Sequence, residues 1–580
     1  MVDKDISFMR SLCLGQIEED LLFPFPDIDD GEKEMLHTVV DSLKSLLAPR
    51  SEDFRRWDRE GEIPSEFIEE LKAFGMFSFV IPEEYGGMGF GSAAYSRALQ
   101  EVARYDASVA VTIGAHSSIG MRGLLLFGNE EQKKRFYPVL ATGEMIAAFC
   151  LTEPNAGSDA AALRTSAKRD GDDWILNGNK LWITNGGIAD FFTVFAKCSG
   201  EDGQGKMTAF IVTKDMEGVS IGPHEDKMGI RGSSTTTVAF DDVRVPSANI
   251  LGEVGKGFKV AMKILNSGRT GLGGGSIGAM KELIRRSTTQ AKERVQFDKP
   301  IAEFGLIKQK IGHMVVECYA AESAVSLVAG LVDSGHQDYA VEAAISKVYT
   351  SEALWRCADE ALQVAGGNGY MCEFPYERIL RDCRINRIFE GTNDILRLFI
   401  ALTAMNDVGS QLKELSASMK GIFDHPIKGF GVLSDYARHR ASLATGLRRS
   451  EGKFSKLPEA LSGPGSVFEA SIRDLAVMVD RLLRKHGKKI IDRQFATRRL
   501  ADIMIDLFVL AATLSRVSRA IEEKGAEKAK EEIDIVKVLA GQVEMRSKRN
   551  FHKIDDNDDE LIKSLADHAL EAEDFGWDSI

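Results

Sequence analysis

The hydrophobic period of this chain changes twice. Up to about residue 145 apolar positions recur every three to four residues, as in PSEFIEELKAFGMF and SAAYSRALQEVARY, the spacing that lays them along one face of a helix. Between about 146 and 251 the period drops to two: WILNGNKLWITNG, DFFTVFAKC, MTAFIVTKD and STTTVAFDDVRV are β-branched and aromatic runs split by Gly, Asn and Asp, which reads as strands and turns. From 252 the helical period returns in FGLIKQKIGHMVVECYAAESAVSLVAGLV and AVEAAISKVYTSEALWRCADEALQVAGG. Such a chain is mainly α with an inserted β domain. The expected divisions are a helical domain at 1–145, a β domain at 146–251, a four-helix bundle at 252–408, a linker at 409–449 and a further helical domain at 450–580. Asn129 before Glu130 and Glu131 predicts a helix start. Asn177-Gly178 predicts a tight hairpin, because both residues tolerate positive φ.

Charge narrows the function classes. A formal net charge of -14 leaves no broad basic face for nucleic acid. The seven cysteines are scattered and form no CxxC pair, so reduced thiols are expected. No stretch approaches the ~20 apolar residues of a spanning helix, and MVDKDISFMRSLCLGQIEED has no secretory pattern. The expected location is cytoplasmic, or an organelle reached by a transit peptide absent from this sequence. Residues 411–449 carry an excess of four positive charges with Leu412, Leu415, Met419, Ile422, Phe423 and Phe430 among them. They read either as a contact with an anionic membrane surface or as a solvated linker.

Candidate chemistry is concentrated in a few segments. FCLTEPNAGSD, Phe149 to Asp159, joins an apolar strand to a Pro, Gly and Ser loop able to receive phosphate or heterocycle acceptors, and reads equally as an ordinary turn. LWITNGG, Leu181 to Gly187, sets an aromatic beside a hydroxyl at a strand end, an edge for stacking a planar ring or simple core. Gly273, Gly275 and Gly278 match GxGxxG but follow helical sequence, so close helix packing is expected instead of a dinucleotide fold. His313 and Glu317 lie four apart on a helix, too few for a metal set. In RDCRINRIFEGTNDILRLFI one carboxylate, Glu390, stands between the apolar pair Ile388-Phe389 and the turn Gly391-Thr392-Asn393. Held against apolar groups it would have a raised pKa, as a base for a weakly acidic C–H needs. A solvated turn glutamate is the plain alternative.

In this order, FCLTEPNAGSD, LWITNGG, ERVQF, QVAGGNGY and RIFEGTNDILR resemble the acyl-CoA dehydrogenase family over nearly the whole chain. The added C-terminal helices, with AAFCLTEP and LGEVGKGFKVAM, look like its very-long-chain group, which includes a paralogue that assists assembly of a respiratory complex. The resemblance implies FAD between the β and bundle domains and α,β-dehydrogenation of a long-chain acyl-CoA. Glu390 would be the base. Phe149, Leu151, Thr152, Ser158, Trp182, Ile183 and Thr184 would line the flavin, with Thr392, Asn393 and Asp394 after the base. Arg294 and Gln363, Val364, Ala365, Gly366 and Gly367 would reach the FAD of a neighbouring subunit of a homodimer. Ser158, Asn266, Arg269 and Gly391 would contact the substrate, and no metal is expected. Some members place the base immediately before this arginine, where the present chain has Gly268, so the role falls to Glu390. The His-Gln flavin contact of medium-chain members is replaced by Phe304 and Gly305. Small residues in TIGAHSSIG, Gly114 and Ala115, imply a deep acyl tunnel. Implied partners are electron transfer flavoprotein and, through 411–449, a membrane: the inner membrane face in a bacterium or the mitochondrial inner membrane in a eukaryote. The rival readings are an acyl-CoA oxidase using O₂ and an FAD-binding scaffold for respiratory-complex assembly.

Overall fold

The computed structural model describes residues 6–199, 203–410, 412–413 and 452–578. Apart from 412–413, the 411–449 segment lies outside the described residues. In chain order the main helices are α1 (Phe8–Cys13), α2 (Asp30–Leu47), α3 (Ser51–Glu60), α4 (Ser65–Ala73), α5 (Ser92–Ala103), α6 (Ala107–Gly114), α7 (Arg122–Phe127), α8 (Glu130–Ala141), α9 (Gly257–Glu293), α10 (Gly305–Asp333), α11 (Ala340–Ala365), α12 (Gly367–Tyr370), α13 (Tyr376–Cys383) and α14 (Asn393–Ala404). After them come α15 (Ser462–His486), α16 (Gln494–Lys524), α17 (Lys530–Asp555) and α18 (Asp559–Ala572). Helix α8 begins where the sequence puts it, with a reciprocal capping box between Asn129 and Gln132.

Two compact units form. One is Pro24–Ile395, and the other joins Ile6–Phe23 to Leu396–Ile580. In the second unit α16 is buried from Leu500 to Ser518 because α15 and α17 flank it, and α1 adds an edge-on Phe8–Phe508 contact and an Arg10–Asp407 ion pair.

The first unit carries an eight-stranded sheet in the order β6-β7-β3-β2-β4-β5-β8, with β1 also pairing β4, and a two-stranded ribbon of Val295–Gln296 with Lys299–Pro300. The strands are β1 (Ala147–Cys150), β2 (Ser166–Asp170), β3 (Asp173–Thr184), β4 (Phe191–Ser199), β5 (Met207–Thr213), β6 (Val219–Ile221), β7 (Thr235–Pro246) and β8 (Ile250–Leu251). The hairpin expected at Asn177-Gly178 is not there. Strand β3 runs through it, and the β2–β3 turn falls at Asp170–Asp173, with Gly171 at φ 62°. Gly178 instead answers a close approach: a Cβ there would lie 2.4 Å from Thr165 Oγ1, so glycine marks a bulge rather than a turn. The Asn177 amide exchanges two 2.9 Å hydrogen bonds with Asp242 on β7.

Helices α9, α10 and α11 pack on one another, and α5 lies along α9. The glycines of α9 make that approach feasible. A Cβ at Gly274 would stand 2.6 Å from Ser96 O, one at Gly278 2.0 Å from Gln100 O, and one at Gly273 2.6 Å from Val325 Cγ2. The GxGxxG match is therefore helix packing. Against the expectation from sequence, residues 107–127 and 305–333 are by length and composition apolar enough to span a bilayer; both are mostly buried inside the protein, as core helices are.

Candidate active site

Glu390 owes its place to the way two helices are joined. After α13 the chain makes a short 3-10 turn at Arg384–Arg387, and Glu390 and Gly391 then take φ of 54° and 92° before α14 begins. A left-handed glutamate costs of the order of 1–3 kcal/mol, and the chain reverses there with the carboxylate directed inward. Oε2 is buried and has no hydrogen-bond partner among the described residues. Burial raises the Glu390 pKa, opposed by the charges of Lys347 and Arg269.

Both cations come from bundle helices. Arg269 on α9 is buried, its Nη1 held 2.6 Å from Asn266 Oδ1 one turn earlier. Burial lowers its pKa to about 10 against the opposing Glu390 charge. Lys347 on α11 is fully buried and donates to Gly391 O at 2.7 Å and to Asn393 Oδ1 at 2.9 Å. The Asn393 Nδ2 group donates to Ser351 Oγ and Glu352 Oε1, both at 3.0 Å. The Asn393 side chain thus anchors the turn from within. Thr392 caps α14 through a 3.2 Å bond from Ile395 N–H, and Asp394 is exposed.

The other half is an interruption in the sheet. β1 and β2 lie end to end beside β4, opposite Phe191–Val194 and Lys197–Ser199, so the 151–165 loop leaves the sheet between them. Lys180 holds it from beneath: Nζ is fully buried and reaches Glu153 Oε1 at 2.7 Å, Phe195 O at 2.7 Å and Leu151 O at 3.3 Å. Glu153 also accepts the N–H groups of Arg164 and Thr165 at 2.5 and 3.0 Å. Above, the β3–β7 register slips between Lys180 and Ile183, and Leu181 N–H turns to Thr152 O at 2.9 Å. This bulge re-aims the next side chain. Trp182, at φ 56°, is thrown out of the sheet, 62% exposed and without a ring partner among the described residues. Ser158 is exposed; Phe149, Thr152 and Thr184 are half-buried; Leu151 and Ile183 are buried. An indole held outward by strained backbone, beside loop hydroxyls, suits a large planar ligand with polar substituents.

Arg294, Gln363, Gly366 and Gly367 are exposed at helix ends, while Val364 and Ala365 are buried. Within one chain the structure brings together Glu390, Arg269, Asn266 and Gly391, and separately the 149–184 group. Sequence reasoning missed Lys347, Lys180 and Glu153. A signal existed for both lysines: Lys347 falls on the same helical face as buried Ala343 and Ser351, and Lys180 continues the inward alternation of Trp174 and Leu176.

A buried, partly unsatisfied carboxylate under the influence of two cations, in a fold that joins a β domain to helical ones, has the chemistry of a proton acceptor in a water-poor site. Comparison with known proteins gives the family. Family models for the acyl-CoA dehydrogenase N-terminal, middle and C-terminal domains match residues 29–144, 148–243 and 255–405, and one for the ACAD9/ACADV C-terminal domain matches 459–575. The chain belongs to the acyl-CoA dehydrogenase family. It is 44% identical over 530 residues to a mitochondrial very long-chain specific acyl-CoA dehydrogenase of Macaca fascicularis, covering 89% of this chain and 79% of that one. It is 35% identical over 586 residues to a probable acyl-CoA dehydrogenase of Bacillus subtilis (strain 168), covering 96% and 92%. The crystal structure of an acyl-CoA dehydrogenase complexed with FAD from Bacillus anthracis superposes with a TM-score of 0.79 at 34% identity, covering 94% of this chain and 91% of that one.

Proposed function

We propose that this protein is an FAD-dependent dehydrogenase of long and very long fatty acyl-CoAs, forming the trans-2-enoyl thioester in fatty-acid β-oxidation and delivering electrons to electron transfer flavoprotein. The observation that carries the reading is Glu390, whose buried Oε2 lacks a hydrogen-bond partner among the described residues. That oxygen accepts the α-proton, and the charges of Arg269 and Lys347 bias Glu390 toward the ionised state such a base requires. The Glu390 backbone N–H polarises the thioester carbonyl, and burial excludes water from the developing charge. Phe149, Leu151, Thr152, Ser158, Trp182, Ile183, Thr184, Thr392, Asn393 and Asp394 would hold FAD, which when bound supplies the acceptor for the β-hydride. Ser158, Asn266, Arg269 and Gly391 serve the substrate.

Chain length is supported by Gly114, where an added Cβ would meet nothing within 4 Å, and by the name of the macaque relative. A homodimer is supported by apolar side chains exposed beside Arg294 and Gln363–Gly367, among them Phe297 (87% exposed), Leu306 and Tyr370, which a second subunit would cover. The relative's mitochondrial name supports that compartment for a eukaryotic source; for a bacterial source the cytoplasmic face of the inner membrane is proposed, with 411–449 as the membrane contact.

The test is anaerobic titration of the flavoprotein with butyryl-, octanoyl-, palmitoyl- and longer acyl-CoAs, followed by flavin absorbance. Bleaching should be strongest with palmitoyl-CoA and longer chains, and Glu390→Gln should abolish it. A preference for butyryl-CoA would overturn the chain-length reading. Hydrogen peroxide in place of reduced electron transfer flavoprotein would identify an oxidase.

A further inference from the structure

We infer that Lys347 is a positioning residue for this reaction: from inside the bundle its ammonium clamps the turn that carries the base and, with Arg269, sets the charge around Glu390. The inference rests on Glu390 being the base.

A fully buried ammonium is costly unless compensated. Lys347 Nζ donates to two neutral oxygens of the turn, the Gly391 carbonyl and the Asn393 amide. A neutral donor could hold those two oxygens, so the clamp alone does not require a lysine. What lysine adds is charge, and the adjoining carboxylates are already distinguished. Glu352 is paired with Arg387 at 3.2 Å and accepts from Asn393 Nδ2. Glu390 has Lys347 as its stronger charge influence, ahead of Arg269. Tyr95 on α5 also feels the Glu390 charge; its hydroxyl lies 2.7 Å from Ser118 Oγ and burial raises its pKa to about 12. Tyr95 is therefore neutral at working pH, and the charges that act on Glu390 against burial are those of Lys347 and Arg269. Lys347 thus does two separable things: it fixes the left-handed Glu390-Gly391 turn by hydrogen bonds, and it opposes the protonation that burial favours.

Lys347→Gln separates them, since glutamine keeps a donor for the turn and loses the charge. Four holoenzymes, wild type, Lys347→Gln, Lys347→Arg and Glu390→Gln, should be compared in the pH profile of flavin reduction by palmitoyl-CoA. In parallel, protonation of the Glu390 carboxyl in the substrate-free protein is followed by infrared difference spectroscopy against Glu390→Gln. Lys347→Gln should move the midpoint of both titrations upward by about 1–3 pH units, the effect of removing an adjacent opposite charge, and Lys347→Arg should restore it. Should glutamine prevent folding, Lys347→Met is the second neutral variant for the same titration. Slower reduction at every pH with both midpoints unmoved would overturn the inference and leave Lys347 a packing residue. Undiminished reduction by Glu390→Gln would instead overturn the base assignment itself.

Discussion

Gly268 and Glu390 face each other across the site: a Cβ built on Gly268 would stand 3.5 Å from Glu390 Oε2. Position 268 thus borders the same space as the carboxylate, at ordinary contact distance. Helix α9 and the α13–α14 connection therefore present two alternative origins for a carboxylate in one space. Glu390→Gly should lower flavin reduction by about 10²–10⁴-fold, and adding Gly268→Glu should recover a measurable part of it. Recovery will be incomplete, because the new Cβ would also lie 2.8 Å from Ile119 Cγ2 and the π-helical segment 115–120 must yield. Stopped-flow flavin absorbance checks both; a double variant no faster than Glu390→Gly would show that the two origins do not reach the same point.

Lys180 should matter to stability and cofactor retention together. Burial raises the Glu153 carboxyl, but Lys180 and the loop hydrogen bonds outweigh it and hold the pKa below its ordinary value. Lys180→Met strands a buried carboxylate and two buried carbonyls, so a loss of about 3–5 kcal/mol is expected by urea denaturation. Because the same ammonium anchors the 151–165 loop, bound FAD should fall at urea concentrations below the unfolding transition. Replacing both partners, Lys180→Met with Glu153→Leu, should be less harmful than Lys180→Met alone.

The period changes placed the β insert and the helical layers in the right order, because each layer buries one continuous face. The Asn177-Gly178 expectation failed for a long-range reason: the packing of Gly178 on Thr165 and the Asn177–Asp242 pairing are invisible in a local window. Glu390 was legible as a carboxylate among apolar neighbours. Its counter-charges were not, since Arg269 and Lys347 lie 121 and 43 residues upstream by position in the sequence, and only the packing of α9 against α11 brings them to one carboxylate. The outward throw of Trp182 also depends on a register slip against β7, which no reading of LWITNGG alone contains.

Asp382 gives the fold a pH dependence of defined sign. Its Oδ1 accepts the Ile230 N–H at 2.5 Å, where Ile230 sits at φ 47°. Burial, reinforced by Asp106 and opposed by Arg378, raises its pKa from 3.8 to about 7. The folded state thus binds this proton more tightly than the unfolded chain, so the contribution is fully present below 3.8 and is lost as pH rises through about 7. Asp382→Asn keeps an acceptor for Ile230 and removes the titration. From pH 5 to 8 wild type should lose stability relative to Asp382→Asn, measured as urea midpoints; a constant difference would show that Asp382 is ionised throughout.

Gly114 offers a direct handle on chain length. It ends α6, where the helix passes into the π-helical segment, and the space beyond its Cα is open. The neighbouring His116 does not fill that space: its ring is tied elsewhere, Nε2 donating to Phe77 O at 3.1 Å and Nδ1 accepting the Ala147 N–H at 3.0 Å. A larger side chain at 114 would therefore enter that open space without displacing His116. Gly114→Leu adds an isobutyl group to a helix position, with the better helix propensity of leucine offsetting part of any strain. If this space receives the distal acyl carbons, the variant should keep reduction by octanoyl-CoA and lose roughly 10-fold or more in kcat/KM for palmitoyl-CoA, the scale of one or two obstructed methylenes. An equal loss for both substrates would mean that the open space beside Gly114 does not belong to the acyl tunnel.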